Sequence, residues 1–307
     1  MTLFFQIAHT KPVKKSDFVT DMAVDALEKH SLASLAAEKE LQYGIVRKVV
    51  NLREAELARR IGRERGVYVT FDCPPASMGK DRAVRALKSY IANTLVEMVG
   101  VMGRKSKVLV VGLGNDEVTA DSLGCRTVRM LDVSAVSEAE RPREKARLCA
   151  MTTGVEGATG IRSADTVEGV CAKIKPSCVI AVDSLATASV GRIGASFQLT
   201  TAGIAPGSGV GGDKARIDRS VLGVPVVAVG VPLVLSMRTL LRSFTEEYTA
   251  AVGCKGDEFR LREIMVEKRL GNLVVAPKEV KYYVERAAAL IAGAINAAFG
   301  EHGGKTC

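Results

Sequence analysis

The sequence predicts an α/β fold in which helices cover a mostly parallel or mixed central sheet. Two observations carry this prediction. Three short apolar runs are typical of strands buried on both faces: VLVVG (108–112), CVIAVD (178–183) and VPVVAVGVP (224–232). Segments with helical spacing lie between these runs, as crossover connections between parallel strands require.

The remaining elements follow from periodicity. Residues 1–21 look like a loose leader, because Lys11, Pro12, Lys14 and Lys15 interrupt any repeat. The rest of the pattern predicts a helix over 22–40, strands over 44–50 and 67–72, an amphipathic helix over 81–102 and a last helix over about 277–298. We see no internal repeat, low-complexity tract or clear linker, so residues 22–307 are expected to form one domain. With 307 residues and 47% apolar composition, the chain can bury a large core.

The uncharged run 220–237 is long enough to be considered as a membrane span. Pro225 and Pro232, each with a glycine two residues before it, suit a buried strand and loop better than a helix. The first fifteen residues place apolar side chains before lysines, the reverse of a secretory signal. We therefore expect no contact with a membrane and a cytoplasmic location.

The cysteines and the charge exclude several classes of protein. Seven scattered cysteines without CxxC spacing argue against a disulfide framework and a zinc knuckle. The net charge of +9 is concentrated in residues 47–65 and 80–107, which we interpret first as solvated helix faces and second as a surface for an acidic partner or nucleic acid. Since aromatic residues make up only 5% and tryptophan is absent, a stacking platform for single strands is not expected, and we expect no direct binding of nucleic acid.

Histidine is scarce where chemistry would need it. His9, His30 and His302 all lie near the ends of the chain, outside the predicted α/β core. A serine or cysteine nucleophile activated by histidine, or a histidine-rich zinc site, is therefore hard to build. Carboxylates, hydroxyl groups and backbone remain as the chemical groups of a site.

Two aspartates stand at the predicted carboxyl ends of strands. Asp121 follows the glycine turn after the 108–112 strand, and Asp183 ends the 178–183 strand. If the strands are neighbours, the two carboxyl groups share a proton and supply a general acid and a general base that activate water on an amide. Alternatively, the pair holds a divalent metal ion, or Asp121 only caps a helix and Asp183 only ends a strand.

A nucleotide site at the same turn is disfavoured. The dinucleotide pattern GxGxxG would need glycine at 117, where this chain has Glu117, and the acidic turn would repel a pyrophosphate. The glycine-rich segment 200–214 is a second candidate, either as an ordinary surface loop or as a substrate-binding segment through Gly207, Ser208 and Gly209. Thr119 and Ser184 flank the aspartates and are expected to hydrogen-bond to their carboxylates or to substrate.

Several motifs together resemble the spore germination protease family. They occur in the family's order: GLGN with VT.D.LG at 112–124, G…TG at 154–160, IAVDSLA at 180–186, TAGIAPGSGVG at 201–211, GVPVVAVGVP at 223–232 and APKEV at 276–280. The match covers most of residues 108–300, and IAVDSLA with GIAPGSGVG is highly specific. This chain departs from the family in having Ala120 and Cys125 where the family has proline.

The resemblance implies an endopeptidase, active in the spore core, that degrades small acid-soluble spore proteins during germination. It implies a three-layer, phosphorylase/hydrolase-like α/β sandwich shared with hydrogenase-maturation peptidases, a homotetramer, and no required cofactor. The family's two essential aspartates fall on Asp121 and Asp183, which would also be the ligands if a metal took part.

The leader also resembles the family's self-processing site. FVTDMAVD at 18–25 places an acidic residue before an apolar one, so the resemblance implies a cut between Asp21 and Met22. Residues 1–21 would then be a removable pro-segment that keeps a zymogen silent, and residues 22–307 the peptidase domain. The same preference, cutting after Glu or Asp and before an apolar residue, would apply to substrates.

Overall fold

The computed structural model describes residues 20–74, 78–133, 146–206, 215–252 and 273–300. In these ranges the chain forms three layers, with a nine-stranded mixed sheet between helices on its two faces. This architecture confirms the predicted α/β class.

The strands are β1 (Ala37–Glu40), β2 (Val46–Leu52), β3 (Gly66–Asp72), β4 (Lys107–Gly112), β5 (Arg147–Thr152), β6 (Cys178–Thr187), β7 (Ser196–Thr200), β8 (Val226–Ser236) and β9 (Val274–Val275). Their order across the sheet is β1-β2-β3-β7-β8-β6-β4-β5, with β9 beside the end of β8. The two longest strands, β6 and β8, are neighbours near the centre of the sheet.

The sheet has two halves of different direction. In one half, the neighbouring strands β8, β6, β4 and β5 run parallel. In the other half, each strand runs antiparallel to its neighbour in the order β1, β2, β3, β7 and β8. The parallel half contains the three apolar runs on which the sequence prediction rested. The antiparallel half brings the amino-terminal strands beside the site.

The helices are α1 (Ala23–Lys29), α2 (Ala55–Arg60), α3 (Asp81–Val99), α4 (Leu123–Arg129), α5 (Glu156–Thr159), α6 (Ser163–Ile174), α7 (Arg219–Leu222), α8 (Met237–Val252) and α9 (Val280–Phe299). Helix α3 buries Leu87, Ile91 and Leu95 at a spacing of four residues, as an amphipathic helix on a sheet does. It packs with α9 and α4 over one face of the sheet, in the largest apolar cluster.

The opposite face carries two separate apolar clusters. One joins α1 and α2 to β2 and β3, and it includes Met22 and Leu185. The other joins α6 to β4 and the first half of β6. Between them, the inner strand β7 presents the buried polar side chains of Ser196, Gln198 and Thr200 to this face.

The helix predicted over 22–40 is wrong in its second half. Helix α1 ends at Lys29, a short 3-10 turn follows, and residues 37–40 form the edge strand β1. The run 220–237 forms helix α7 and strand β8, and among the described residues no helix is long and apolar enough to cross a membrane. The five cysteines in the described ranges are all free thiols.

Candidate active site

The site lies where strand β4 ends beside the middle of the neighbouring parallel strand β6. The predicted strand end at Asp183 is wrong, because β6 continues to Thr187 through its pairing with β8. Gly112 pairs with Val182 as the last register position of the β4–β6 ladder, and the Leu113 N–H continues it by donating to the Val182 carbonyl at 2.9 Å. Asp183 follows Val182 directly. The two strands are therefore neighbours, which is the condition that the proposed pairing of the carboxyl groups required, and the Asp121 charge acts on Asp183.

The turn after β4 is shaped around Asp121. Gly114 has a φ of +94°, and a Cβ built on it would lie 2.0 Å from the Asp121 carbonyl oxygen and 3.0 Å from its carboxylate. The Asn115 N–H donates to Asp121 Oδ2 at 2.8 Å. Because the backbone itself grips the carboxylate, the orientation of Asp121 is fixed by a turn that only glycine can make.

Close contact also ties this turn to β6. A Cβ on Gly124 would lie 2.4 Å from both the Leu113 nitrogen and the Val182 carbonyl oxygen. The start of α4 therefore packs against the part of β6 that leads into Asp183. The glycines of the turn after β4 allow this close packing and place Asp121.

Asp183 lies inside the sheet, paired in register with Gly230 of β8. Its Oδ1 accepts a hydrogen bond from the Ser184 N–H at 2.8 Å. The Ser184 hydroxyl is buried and has no hydrogen-bond partner in the part of the chain that the structure describes. A buried hydroxyl without a partner costs free energy, so this oxygen is available to a bound molecule.

The two carboxyl groups differ in acidity. Burial raises the pKa of Asp183 well above its usual value, and the neighbouring Asp121 charge raises it further. Burial also raises the pKa of Asp121, while the hydrogen bond from Asn115 offsets part of that rise. The folded protein therefore opposes ionisation of both carboxyl groups, and it opposes that of Asp183 more strongly.

The flanking residues are arranged differently from the expectation. Asp121 accepts a hydrogen bond from the Asn115 N–H, and Asp183 accepts one from the Ser184 N–H. The expectation that the hydroxyl groups of Thr119 and Ser184 bond to these carboxylates is therefore wrong within the described residues. Thr119 begins the 3-10 turn that carries Asp121. Gly207, Ser208 and Gly209 lie outside the described residues.

The end of the leader lies on β6, beside the aspartates. The Asp21 N–H donates to the Ala186 carbonyl, and the Ala186 N–H donates to the Asp21 carboxylate, both at 2.8 Å. Met22 is completely buried in the apolar cluster formed by α1, α2 and β2. The last two leader residues are thus packed into the fold and are not loose, and the Asp21 charge contributes to the raised pKa of Asp183.

Asp121 and Asp183 would supply only two protein ligands to a metal ion. Within the described ranges, no group of three or more His, Cys, Asp or Glu side chains is placed to hold a metal ion. Asp121 and Asp183 alone suit an ion such as Mg²⁺, which accepts one or two carboxylates and keeps several waters. A zinc site would need a larger set of protein ligands.

Comparison with known proteins identifies the family. The family described as "Germination protease" matches residues 13–255. The chain belongs to the germination protease family. It is 29% identical to the germination protease of Clostridium acetobutylicum (91% of this chain and 94% of that protein), 30% to that of Caldanaerobacter subterraneus (91% and 93%) and 31% to that of a Bacillus cereus strain (91% and 92%).

As a member of this family, the protein is a peptidase. The match also confirms the family resemblance that the sequence motifs indicated. Among solved structures, a NiFe hydrogenase maturation protease from Thermococcus kodakarensis is similar over 66% of this chain and 99% of that chain, at 18% identity and a TM-score of 0.35.

One residue at the leader junction was missed from the sequence. Gln198 of β7 contacts the backbone on both sides of the Asp21–Met22 bond. The run SFQLT looks like a half-buried strand with its polar side chains in water, whereas all five residues are buried. Only the pairing of β7 inside the sheet reveals that Gln198 faces the protein interior.

Proposed function

We propose that this protein is a zymogen endopeptidase that hydrolyses small acid-soluble spore proteins during germination, with Asp121 and Asp183 activating the attacking water. The observation that carries the proposal is the position of the Asp21–Met22 segment. Asp21 pairs with Ala186, three residues beyond Asp183 on the same strand. The chain thus holds an acidic-apolar dipeptide bond near a half-buried pair of carboxyl groups.

We propose that Asp183 carries the proton of the pair, because burial and the Asp121 charge raise its pKa. Asp121, the more acidic carboxyl, acts as the general base and takes a proton from water as the water oxygen bonds to the carbonyl carbon. Asp183 donates its proton to the nitrogen that leaves when the C–N bond breaks. The cycle ends with the proton on Asp121, and exchange with solvent returns it to Asp183.

The contacts around the junction support the preference for an acidic residue before the bond and an apolar one after it. The Asp21 carboxylate accepts from the Ala186 N–H, and Arg63 lies close enough for its charge to lower the pKa of Asp21, which burial raises. The Met22 side chain fills an apolar cluster. Substrates with Glu or Asp followed by an apolar residue would use the same two contacts.

Self-processing at Asp21–Met22 is part of the proposal. Removing residues 1–21 would convert the zymogen into the active enzyme, which we propose acts in the spore core as a homotetramer. A divalent ion held by Asp121 and Asp183 is the alternative way to activate the water. A catalytically silent α/β binding protein is the second alternative, but it leaves the processing sequence without a purpose.

The test uses the chain that begins at Met22 and a purified small acid-soluble spore protein, with products read by mass spectrometry. The parent should cut after Glu or Asp before an apolar residue, and Asp121→Asn and Asp183→Asn should each lower the rate by about 10²–10⁴-fold. Asp165→Asn, which changes an exposed aspartate paired with Arg162, is the matched control and should retain the parent rate.

A parallel assay with a chelator separates the water-activating mechanisms, since only the metal-dependent one loses activity. If the parent cuts no spore protein under any condition that supports its folding, the proposed activity is wrong.

A further inference from the structure

The side-chain amide of Gln198 spans the bond between Asp21 and Met22. Its Nε2 donates to the Asp21 carbonyl oxygen at 3.0 Å, and its Oε1 accepts from the Ala23 N–H at 2.7 Å. Because a backbone N–H can only donate, the contact with Ala23 fixes which end of the amide is which. The NH₂ group therefore faces the carbonyl of the bond proposed to be cut.

The sheet places Gln198 opposite the catalytic pair. Gly230 of β8 pairs in register with Asp183 on one side and with Gln198 on the other. Residues paired across adjacent strands share a face, so Asp183 and Gln198 point to the same side of the sheet, about 10 Å apart at their backbones. The Leu185 side chain lies over Gly230, since a Cβ built on Gly230 would lie 2.5 Å from Leu185 Cγ, so Asp183 and Gln198 stand on either side of an apolar side chain.

Burying the Gln198 amide at this position costs free energy unless its polar atoms are hydrogen-bonded. The Gln198 side chain is only 4% exposed, and β7 is wholly buried between β3 and β8. Both polar ends of a buried amide must find partners, and here the partners belong to the leader junction and not to the sheet. The residue is thus matched to a backbone segment that the reaction would cut.

We propose that Gln198 is a catalytic residue that donates a hydrogen bond to the carbonyl oxygen of the bond cut. This proposal rests on the proposed function. As water adds to the carbonyl carbon of Asp21, negative charge develops on that oxygen, and a donor already in place stabilises it in a dry site. The bond to Ala23 holds the leaving side, so one amide orients both halves of the substrate.

The experiment measures leader loss by intact mass in the full-length chain and in Gln198→Met, which keeps the length of the side chain and removes both polar ends. The parent should lose residues 1–21, and Gln198→Met should do so about 10²–10³-fold more slowly, the effect of removing one oxyanion donor. Thr200→Val is the matched control, since it removes a buried hydroxyl on the same strand and face that bonds to Ala202. It should process at the parent rate.

A second measurement separates catalysis from anchoring. In an Asp183→Asn background, which keeps the leader attached, hydrogen exchange at the Asp21 amide reports docking, because that N–H bonds to Ala186 and not to Gln198. Retained protection with a slow reaction supports the catalytic role. Protection lost in proportion to the rate would overturn it, since Gln198 would then only anchor the leader.

Different results would contradict the role of Gln198 and the proposed peptidase function. If the parent processes and Gln198→Met processes within about threefold of it, only the role of Gln198 is wrong. If the parent never loses its leader and also fails to cut a spore protein after truncation to Met22, the proposed function falls, and the role of Gln198 falls with it.

Discussion

Asp183 is a residue whose ionisation the folded protein opposes. It is half-buried, with Asp121 and Asp21 nearby, so ionisation there is opposed by desolvation and by two like charges. One hydrogen bond from the Ser184 N–H compensates only in part. A partly buried acid that holds a proton next to a more acidic partner is the arrangement that general acid–base catalysis needs.

This arrangement predicts the effect of Asp183→Asn on stability. Below the unfolded pKa of about 3.9 both states carry the proton, and the contribution of Asp183 is fully favourable. As pH rises toward the raised folded pKa, the unfolded chain ionises first and the folded state loses stability. Asn cannot ionise and still accepts from Ser184. The variant should therefore be more stable than the parent at neutral pH, and the gain should shrink as pH falls toward 4.

Urea unfolding from pH 4 to pH 8 measures this gain. Since a pKa difference of one between the two states corresponds to about 1.4 kcal/mol, the effect is well within the range of the method. Asp165→Asn is the surface control and should show no such rise. A gain that is absent, or that does not change with pH, would contradict the assignment of the proton to Asp183.

At the scale of elements, helix α1 is fastened to the end of β6 by a buried ion pair. Asp25 has a completely buried carboxylate that pairs with Arg192 and accepts from the Thr187 hydroxyl, the Ala188 N–H and the Thr20 hydroxyl. These contacts join the residues on either side of the Asp21–Met22 bond to the strand that carries Asp183. They hold the junction in place before any cut.

Removing the arginine of this buried ion pair should lower stability much more than removing an arginine from an exposed ion pair. Arg192→Met leaves the Asp25 carboxylate buried without its counter-charge, which we expect to lower the free energy of unfolding by about 3 kcal/mol. Arg129→Met is the matched control, because the Arg129–Asp116 pair is exposed and its loss should change stability far less. Urea unfolding at neutral pH compares the two, and equal losses would show that α1 is not anchored in this way.

The elements also show where sequence patterns are informative. Strands β4, β6 and β8 were found because both of their faces are buried, which leaves an unbroken apolar run. Residues 37–40, AEKE, favour a helix by composition, yet all four are exposed and pair with β2 at the edge of the sheet. Tertiary pairing overrides local preference there. Strand β7 was missed because Gln198 and its polar neighbours face a segment that is distant in sequence.

At the scale of the whole molecule, the aspartate pair could be predicted and its surroundings could not. Functional side chains collect near the carboxyl ends of parallel strands, so Asp121 and Asp183 could be named as a candidate pair, although β6 continues beyond Asp183 to Thr187. The antiparallel half of the sheet gives no comparable rule. It brings Arg63 and Gln198 to the leader junction through contacts that span 41 or more residues of sequence.

The whole fold also sets limits on what processing would change. Residues 22–27 are completely or almost completely buried, so a cut at Asp21–Met22 would release the leader and leave α1 in the core. We therefore expect the processed chain to keep the fold of the zymogen. The change on activation would be confined to the part of β6 near Ala186, to which Thr20 and Asp21 hydrogen-bond.

The measurement that tests the central claim most directly is the intact mass of the full-length chain across a pH series, beside Asp121→Asn and Asp183→Asn. The account predicts that the parent loses residues 1–21, with a rate that rises as Asp121 ionises and falls as Asp183 loses its proton, while both variants stay whole. Loss of the leader from either variant at the parent rate, or a parental rate that is flat from acid to neutral pH, would contradict it.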